Sequence, residues 1–420
     1  MTFEQLNIID PILKALTGEG YAEPTDIQIQ AIPILMAGRD MVGSAQTGTG
    51  KTAAFAIPTL QRLYTNRISG SHYIRALVLA PTRELAAQIG DSFKTYGANL
   101  GIRSTVVFGG VSKAPQIHNL KSRCDILIAT PGRLLDLIEM GVADISKIEI
   151  FVLDEADQML DMGFLRDIKR VIAKIPTKRQ TMMFSATMPE EIEALARTLL
   201  KDPVRIAVTP VEKPLETIAQ SVYFVDKRLK AELLLHLLND KSIKSLLVFT
   251  RTKHGANKLT QKLQEAGHGV GVIHGNKSQP ARIQALNNFK NKKLRILVAT
   301  DIAARGIDID RLSHVLNYEL PEVPEMYLHR MGRTGRAGFT GTLLNFCSND
   351  EVPQLSDIQW HIGMKIPVVK DHPYAQSFGL TDDSDATYEK KSSARPSVSS
   401  TRPAVRSRSR RPGNRGYRIR

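Results

Sequence analysis

The sequence predicts an α/β protein of two tandem domains, each a mostly parallel sheet flanked by helices, followed by a disordered basic tail. Three observations predict this. Short apolar runs alternate with helical stretches through the first half, the same rhythm returns in the second half, and beyond about Val369 both rhythm and apolar content fade. With 420 residues, 42% of them apolar and 24% charged, the chain can bury two sizeable cores without disulfide or metal support.

In the first domain, residues 1–208, the strands expected are Ile74 to Ala80, Arg103 to Phe108, Asp125 to Ala129, Ile148 to Leu153 and Thr181 to Phe184, with a shorter apolar stretch at Met41-Val42-Gly43. Each is brief, rich in β-branched and apolar residues, and separated from the next by a helical stretch, which is the pattern of βαβ units around a parallel sheet. Residues 209–217 carry Pro210 and Pro214 without apolar periodicity and predict an extended linker. The second domain, residues 218–369, repeats the rhythm with Ser245 to Phe249, Val270 to Ile273, Leu294 to Ala299 and His314 to Tyr318. From Ser392 onward Ser, Pro and Arg dominate, with nine arginines between Arg395 and Arg420 and no acidic residue. Such a segment buries too little apolar surface to offset the entropy of ordering it, so residues 370–420 are expected to be a disordered Arg-rich tail that tethers RNA, with a merely solubilising terminus as the alternative.

Composition excludes several classes. Cys124 and Cys347 are far apart and lack metal-ligand spacing, so they are expected to be plain core residues in a reducing compartment. No segment approaches the roughly 18 apolar residues of a membrane span, and no leader pattern opens the chain, which predicts a cytoplasmic protein with no membrane partner. A net charge of +15 favours a polyanionic partner but does not choose among RNA, DNA and anionic lipid.

The choice comes from motifs. Ala45-Gln46-Thr47-Gly48-Thr49-Gly50-Lys51-Thr52 lies between a short apolar stretch and a helical run. That is the context of a phosphate-binding loop, whose backbone N–H groups wrap phosphates at a helix N-terminus. Lys51 then reaches the β and γ phosphates and Thr52 offers its hydroxyl to Mg²⁺. About a hundred residues on, Phe151-Val152-Leu153 delivers Asp154-Glu155-Ala156-Asp157 at the C-terminal end of a strand, the sheet edge that also holds the phosphate loop. Asp154 is the expected metal-side carboxylate, and Glu155 the group that orients or deprotonates the attacking water. The second domain has no Gly-Lys-Ser/Thr of its own, so one ATP serves the chain. It offers His329-Arg330-Met331-Gly332-Arg333-Thr334-Gly335-Arg336 instead, where Arg333 and Arg336 can bring guanidinium charge to transition-state oxygens when the domains close.

From Phe3 to about Pro367 these residues, in this order, resemble the DEAD-box ATP-dependent RNA helicases of superfamily 2, and most of all the bacterial RhlE-type enzymes. The resemblance implies two RecA-like domains, RNA-stimulated ATPase activity, and ATP with Mg²⁺ as cofactors. Phe3, Tyr21, Thr25 and Gln28 match the family's adenine-reading motif, with Asp26 standing where Pro is commoner. Pro81, Thr82, Arg83, Gly110, Thr130, Pro131, Gly132 and Arg133 match its RNA-backbone motifs on the first domain. Ser185-Ala186-Thr187 matches the segment coupling ATP state to strand separation, either through hydroxyl bonds to the acids that include Asp157 or with Thr187 as a helix cap. On the second domain Thr250, Arg251, Gln279, Arg282 and Thr300 match RNA-side positions, Asp308 the contact to the ATP ribose, His329 the residue linking the two sites, and Arg333 and Arg336 the fingers. Gln158 departs from the family's usual Arg.

The expected partner is RNA, single-stranded or short duplex, gripped by phosphates and 2′-hydroxyls with little sequence preference. Ribosomal precursors and the RNA-decay machinery are family-level expectations. A monomer is expected by default, with a dimer through Gln354 to Ile366 as the alternative. Competing readings are a DNA translocase sharing the loop and finger, an annealing clamp whose ATPase is secondary, and a kinase, which leaves the two-domain motif order unexplained.

Overall fold

The computed structural model describes residues 1–45, 48–67, 73–207, 218–304, 312–335 and 341–376. The linker expected at 209–217, Gln46, Thr47, Asp308, Arg336 and the tail beyond 376 lie outside the described residues.

The first lobe is a seven-stranded sheet made of β1 (Met41–Ser44), β2 (Ala76–Leu79), β3 (Ser104–Val107), β4 (Ile126–Ala129), β5 (Ile150–Leu153), β6 (Gln180–Ser185) and β7 (Val204–Ala207). Its order is β3-β4-β2-β5-β6-β1-β7, and every pairing is parallel. Helices cover both faces, which is why β2, β4 and β5 are buried along their whole length and read as continuous apolar runs. Alternate residues feed opposite cores: Ile150 and Val152 join one, Phe151 and Leu153 the other.

The second lobe repeats the plan with β8 (Ile218–Phe224), β9 (Leu246–Thr250), β10 (Val270–Ile273), β11 (Ile296–Thr300), β12 (His314–Asn317) and β13 (Gly341–Cys347), in the order β10-β11-β9-β12-β13-β8 and again all parallel. The outer edge of β8 is covered by the C-terminal segment, where Val222 N–H donates to Pro367 O at 2.9 Å, Val369 N–H to Val222 O at 2.9 Å and Gln376 N–H to Phe224 O at 3.1 Å. Covering that edge removes a template for strand addition.

Strands β7, β8 and β13 are absent from the sequence reading. β7 is a half-exposed edge strand, and β8 and β13 interrupt their apolar runs with Gln220, Ser221 and Asn345, of which the buried Gln220 accepts from the Tyr327 hydroxyl and the buried Asn345 donates to Ser221 O. Cys124 and Cys347 are free and buried. Among the described residues no helix is long and apolar enough to cross a membrane.

Candidate functional site

Because every strand of the first sheet runs the same way, the loops after β1, β2, β3, β4, β5 and β6 gather at one edge. Ser44 pairs with Ser185, and Ala45 N–H donates to Ser185 O at 3.1 Å, so β6 sits between the phosphate loop and the acids at the end of β5. The loop closes at Gly50, whose φ of 93° lies in the left-handed region, and the helix Lys51–Thr65 begins directly after it. A Cβ on Gly50 would approach Gln28 Nε2 to 2.5 Å and Thr25 Oγ1 to 2.8 Å. This close approach accounts for glycine here.

The adenine-motif residues hold that loop. Thr25 Oγ1 donates to Thr49 O at 2.8 Å and Gln28 Nε2 to Gly50 O at 3.1 Å, while Gln28 Oε1 accepts from Thr25 N–H. Asp26 opens the helix Asp26–Met36, where a carboxylate favours the positive helix end, so its replacement of proline is locally supported. Phe3 is buried in the core beneath Tyr21, ring centroids 6.3 Å apart, leaving Tyr21 at 38% exposure as the accessible ring. Lys51 is buried and donates to Ala45 O at 2.9 Å, and Thr52 is half-buried one residue further on.

Asp154 and Glu155 are only 2% and 4% exposed. Burial pushes the Asp154 carboxyl up to about 7, the Lys51 ammonium opposing it and the carboxylates of Glu155 and Asp157 adding to the rise. Glu155 has φ 54° and ψ 54°, a left-handed conformation that costs a side-chain-bearing residue of order 1 kcal/mol or more. This turn ends β5 and starts the helix Ala156–Asp161 at once, turning Asp157 toward β6. There Asp157 Oδ2 accepts from Ala186 N–H at 3.1 Å, Thr187 N–H at 2.8 Å and the Thr187 hydroxyl at 3.0 Å, and the Ser185 hydroxyl oxygen accepts from Asp157 N–H at 3.1 Å. Of the two arrangements weighed for Ser185 to Thr187, the geometry is the bonded one.

The expected RNA-side residues of the first lobe divide by exposure. Thr82 caps the helix Arg83–Tyr96 by accepting from Leu85 N–H, and Pro81, Thr130 and Pro131 are buried at their turns. Gly132 is exposed, and the Arg83 guanidinium lies so close over Gly110 that a Cβ there would overlap it. Arg133 is buried and donates to Val111 O at 3.1 Å, fixing the glycine turn rather than reaching outward.

On the second lobe Thr250 is wholly buried and its hydroxyl points to Ala299 O at 3.5 Å. Its side chain therefore lies inside the sheet, because the last residue of β9 is still part of the strand. Arg251, next in line, is held by Glu322 at 3.5 Å and Glu351 at 3.7 Å, and its N–H donates to Glu319. Gln279 and Arg282 cross to the first lobe, where Glu84 Oε1 accepts from Gln279 Nε2 at 2.9 Å and Arg282 Nη2 at 3.0 Å. Glu84 was missed as a functional residue although a signal existed, since an acid inside a segment assigned to anionic RNA is out of place.

The helix Pro324–Met331 carries His329 and leads to Arg333, itself only 4% exposed. Both line a cleft of about 560 Å³ whose opposite wall is Asp157, Ala186 and Thr187 of the first lobe. Arg330, between them, is structural: it makes a bidentate pair with Asp301 at 2.7 and 2.8 Å and lies over the Phe249 ring.

A phosphate loop, a strand-end acid pair, a serine-threonine segment bonded to Asp157 and an arginine helix facing them from a second parallel-sheet lobe define the site. Residues 25–195 match the DEAD/DEAH box helicase family and residues 229–338 the helicase conserved C-terminal domain. Over 358 residues the chain is 39% identical to the DEAD-box ATP-dependent RNA helicase CshA of Geobacillus kaustophilus, an alignment covering 85% of this chain and 76% of that protein. The chain belongs to the DEAD-box ATP-dependent RNA helicases. As a member it is an RNA-stimulated ATPase that uses ATP and acts on RNA. It is also 41% identical over 361 residues to the ATP-dependent RNA helicase CshA of Limosilactobacillus reuteri, covering 86% of this chain and 71% of the relative.

Solved structures of this helicase family share the two RecA-like domains. Dbp5 of S. cerevisiae bound to RNA and ADP BeF3 superposes with a TM-score of 0.78 at 31% identity, covering 88% of this chain and 95% of that one. A DEAD box protein from the hyperthermophile Methanococcus jannaschii, 38% identical and covering 88% of this chain and 99% of its own, reaches 0.51.

Proposed function

We propose that this helicase unwinds short RNA duplexes locally, or remodels RNA–protein complexes, by closing its two lobes on one ATP and one RNA strand. The observation that carries the proposal is the set of contacts across the lobe junction: Glu84 with Gln279 and Arg282 on the RNA-motif side, and the cleft shared by Thr187, His329 and Arg333 on the ATP side. Closure thereby joins the strand grip to the phosphoryl site, and a clamp that accepts only a bent strand releases its complement. Glu155 orients or deprotonates the water, Lys51 holds the β and γ phosphates, and Arg333 with Arg336 meets the charge that develops on them.

Mg²⁺ fits the donors present, a Thr52 hydroxyl and a buried Asp154 carboxylate. Among the described residues no group of three His, Cys, Asp or Glu side chains forms a ready-made metal cage, which suits an ion held mainly by substrate phosphates and water. When bound it would neutralise phosphate charge. The proposal also includes the RhlE-type affinity within the family, domain limits at 1–208 and 218–369, a bacterial cytoplasmic setting, a monomeric enzyme, and ribosomal precursors or decay intermediates as its RNA. The two CshA proteins described support the bacterial setting.

The test is strand release from a short RNA duplex in a single turnover with ADP and beryllium fluoride. Release is expected, and its absence counts against closure as the separating step. A second result follows from Glu84. Glu84→Ala removes the carboxylate that Gln279 and the largely buried Arg282 guanidinium share across the lobe junction, so the RNA concentration for half-maximal ATPase should rise roughly tenfold or more, with RNA-independent hydrolysis unchanged. An unaltered RNA titration would show that the contact does not stabilise closure.

A further inference from the structure

A chain of buried polar side chains crosses the second lobe beneath the helix Pro324–Met331. It is entered from the partly exposed Asp301, just after Thr300 at the end of β11, where Arg330 forms its bidentate pair. Arg330 Nη1 donates to Asn317 Oδ1 at 2.7 Å, Asn317 Nδ2 to Asn345 Oδ1 at 2.7 Å, and Asn345 Nδ2 both to Ser221 O at 3.0 Å and to the Tyr327 hydroxyl at 3.3 Å. The Tyr327 hydroxyl donates in turn to Gln220 Oε1 at 2.7 Å. Asn317, Asn345, Tyr327 and Arg330 are all buried to within 1%. The path thus joins the RNA-side turn, the helix bearing His329 and leading to Arg333, and β8, the first described strand after residues 208–217.

Apolar side chains would fill this space without desolvating polar groups, and a buried network is stiff only when every member is satisfied. Asn317 and Asn345 are in-register neighbours on β12 and β13, and their amides leave only particular positions for the two side chains that descend from the helix above. Tyr327 and Arg330 lie three residues apart on one helix face, so their bonds fix both its rotation and its position along the sheet. A displaced helix would carry Arg333 with it.

We propose that Tyr327, Asn345 and Gln220 are positioning residues that hold the arginine-bearing helix in register with the RNA-side turn at Thr300 and Asp301, so that RNA engagement is felt at Arg333. The inference rests on Arg333 acting in hydrolysis. The test uses the full chain, with steady-state ATPase measured at saturating single-stranded oligouridylate. Tyr327→Phe leaves the Gln220 carbonyl unpaired, whereas Tyr327→Phe with Gln220→Met removes both partners and should leave the unfolding midpoint near that of the parent.

In the double variant kcat should fall roughly tenfold with KM for ATP unchanged, because misplacement by less than about 1 Å is enough to slow chemistry on that scale. Recovery of kcat to the parent value together with the midpoint would assign the network a purely structural role and overturn the proposal. Arg333→Ala serves as the reference. If it keeps the parent rate, the reading of Arg333 itself fails; if it loses the rate while the double variant does not, only the positioning inference fails.

Discussion

Glu155→Gln should slow RNA-stimulated ATP hydrolysis by about 10²- to 10⁴-fold, the usual contribution of a positioned general base, while ATP and RNA binding stay near their parent values. The exchange is nearly isosteric, and the neutral amide can still sit in the turn that aims it. What it cannot do is take a proton from water or carry the negative charge that orients it. Removing that charge also relieves the pressure on Asp154, whose carboxyl is pushed upward by burial and by neighbouring acids including Glu155. A loss of ATP affinity is therefore not the expected cause of inactivity. Hydrolysis and equilibrium nucleotide binding, measured on the same preparation with and without RNA, separate the two. Under the proposed mechanism, in which ATP binding separates and hydrolysis resets, the variant should also still release a strand once on closure and then stall. Hydrolysis within tenfold of the parent would remove Glu155 from the chemistry.

Much of this site was legible in the sequence because its groups lie at strand ends. The runs ending at Leu153 and Ala299 announced their strands, and a parallel sheet gathers all such ends at one edge. What could not be read was which neighbour each side chain would meet. Thr250 follows an apolar run just as Asp154 does, yet β9 is one residue longer than its apolar run and keeps that hydroxyl inside. Glu84 lies 195 residues from Gln279, and nothing local to either position points to the other. The polar residues of β8 and β13 hid those strands for a related reason, since Gln220 and Asn345 are acceptable in a core only with partners drawn from elsewhere in the lobe. Local pattern specified the elements, whereas long-range partners decided which exposed-looking residues are buried.

Arg333→Ala should give the largest loss, about 10³- to 10⁵-fold in kcat if the guanidinium acts as arginine fingers do in other nucleotide hydrolases, with little change in KM for ATP. The reason for the split is geometric. The phosphate loop, Lys51 and the adenine-motif residues that hold the loop all belong to the first lobe and keep their mutual contacts when Arg333 is removed. Arg333 is nonetheless buried, at the end of a helix whose preceding turn is anchored by Arg330, and it lines the cleft opposite Asp157 and Thr187. Its charge is felt only when the lobes are together, so the loss should fall on the step that follows closure. Arg333→Lys should recover little of the rate, because an ammonium lacks the planar fork that meets two oxygens at once. Lys51→Ala provides the contrast, since it should weaken nucleotide binding itself. An Arg333→Ala enzyme that hydrolysed ATP within tenfold of the parent, and still responded to RNA, would show that the second lobe supplies no charge to the reaction.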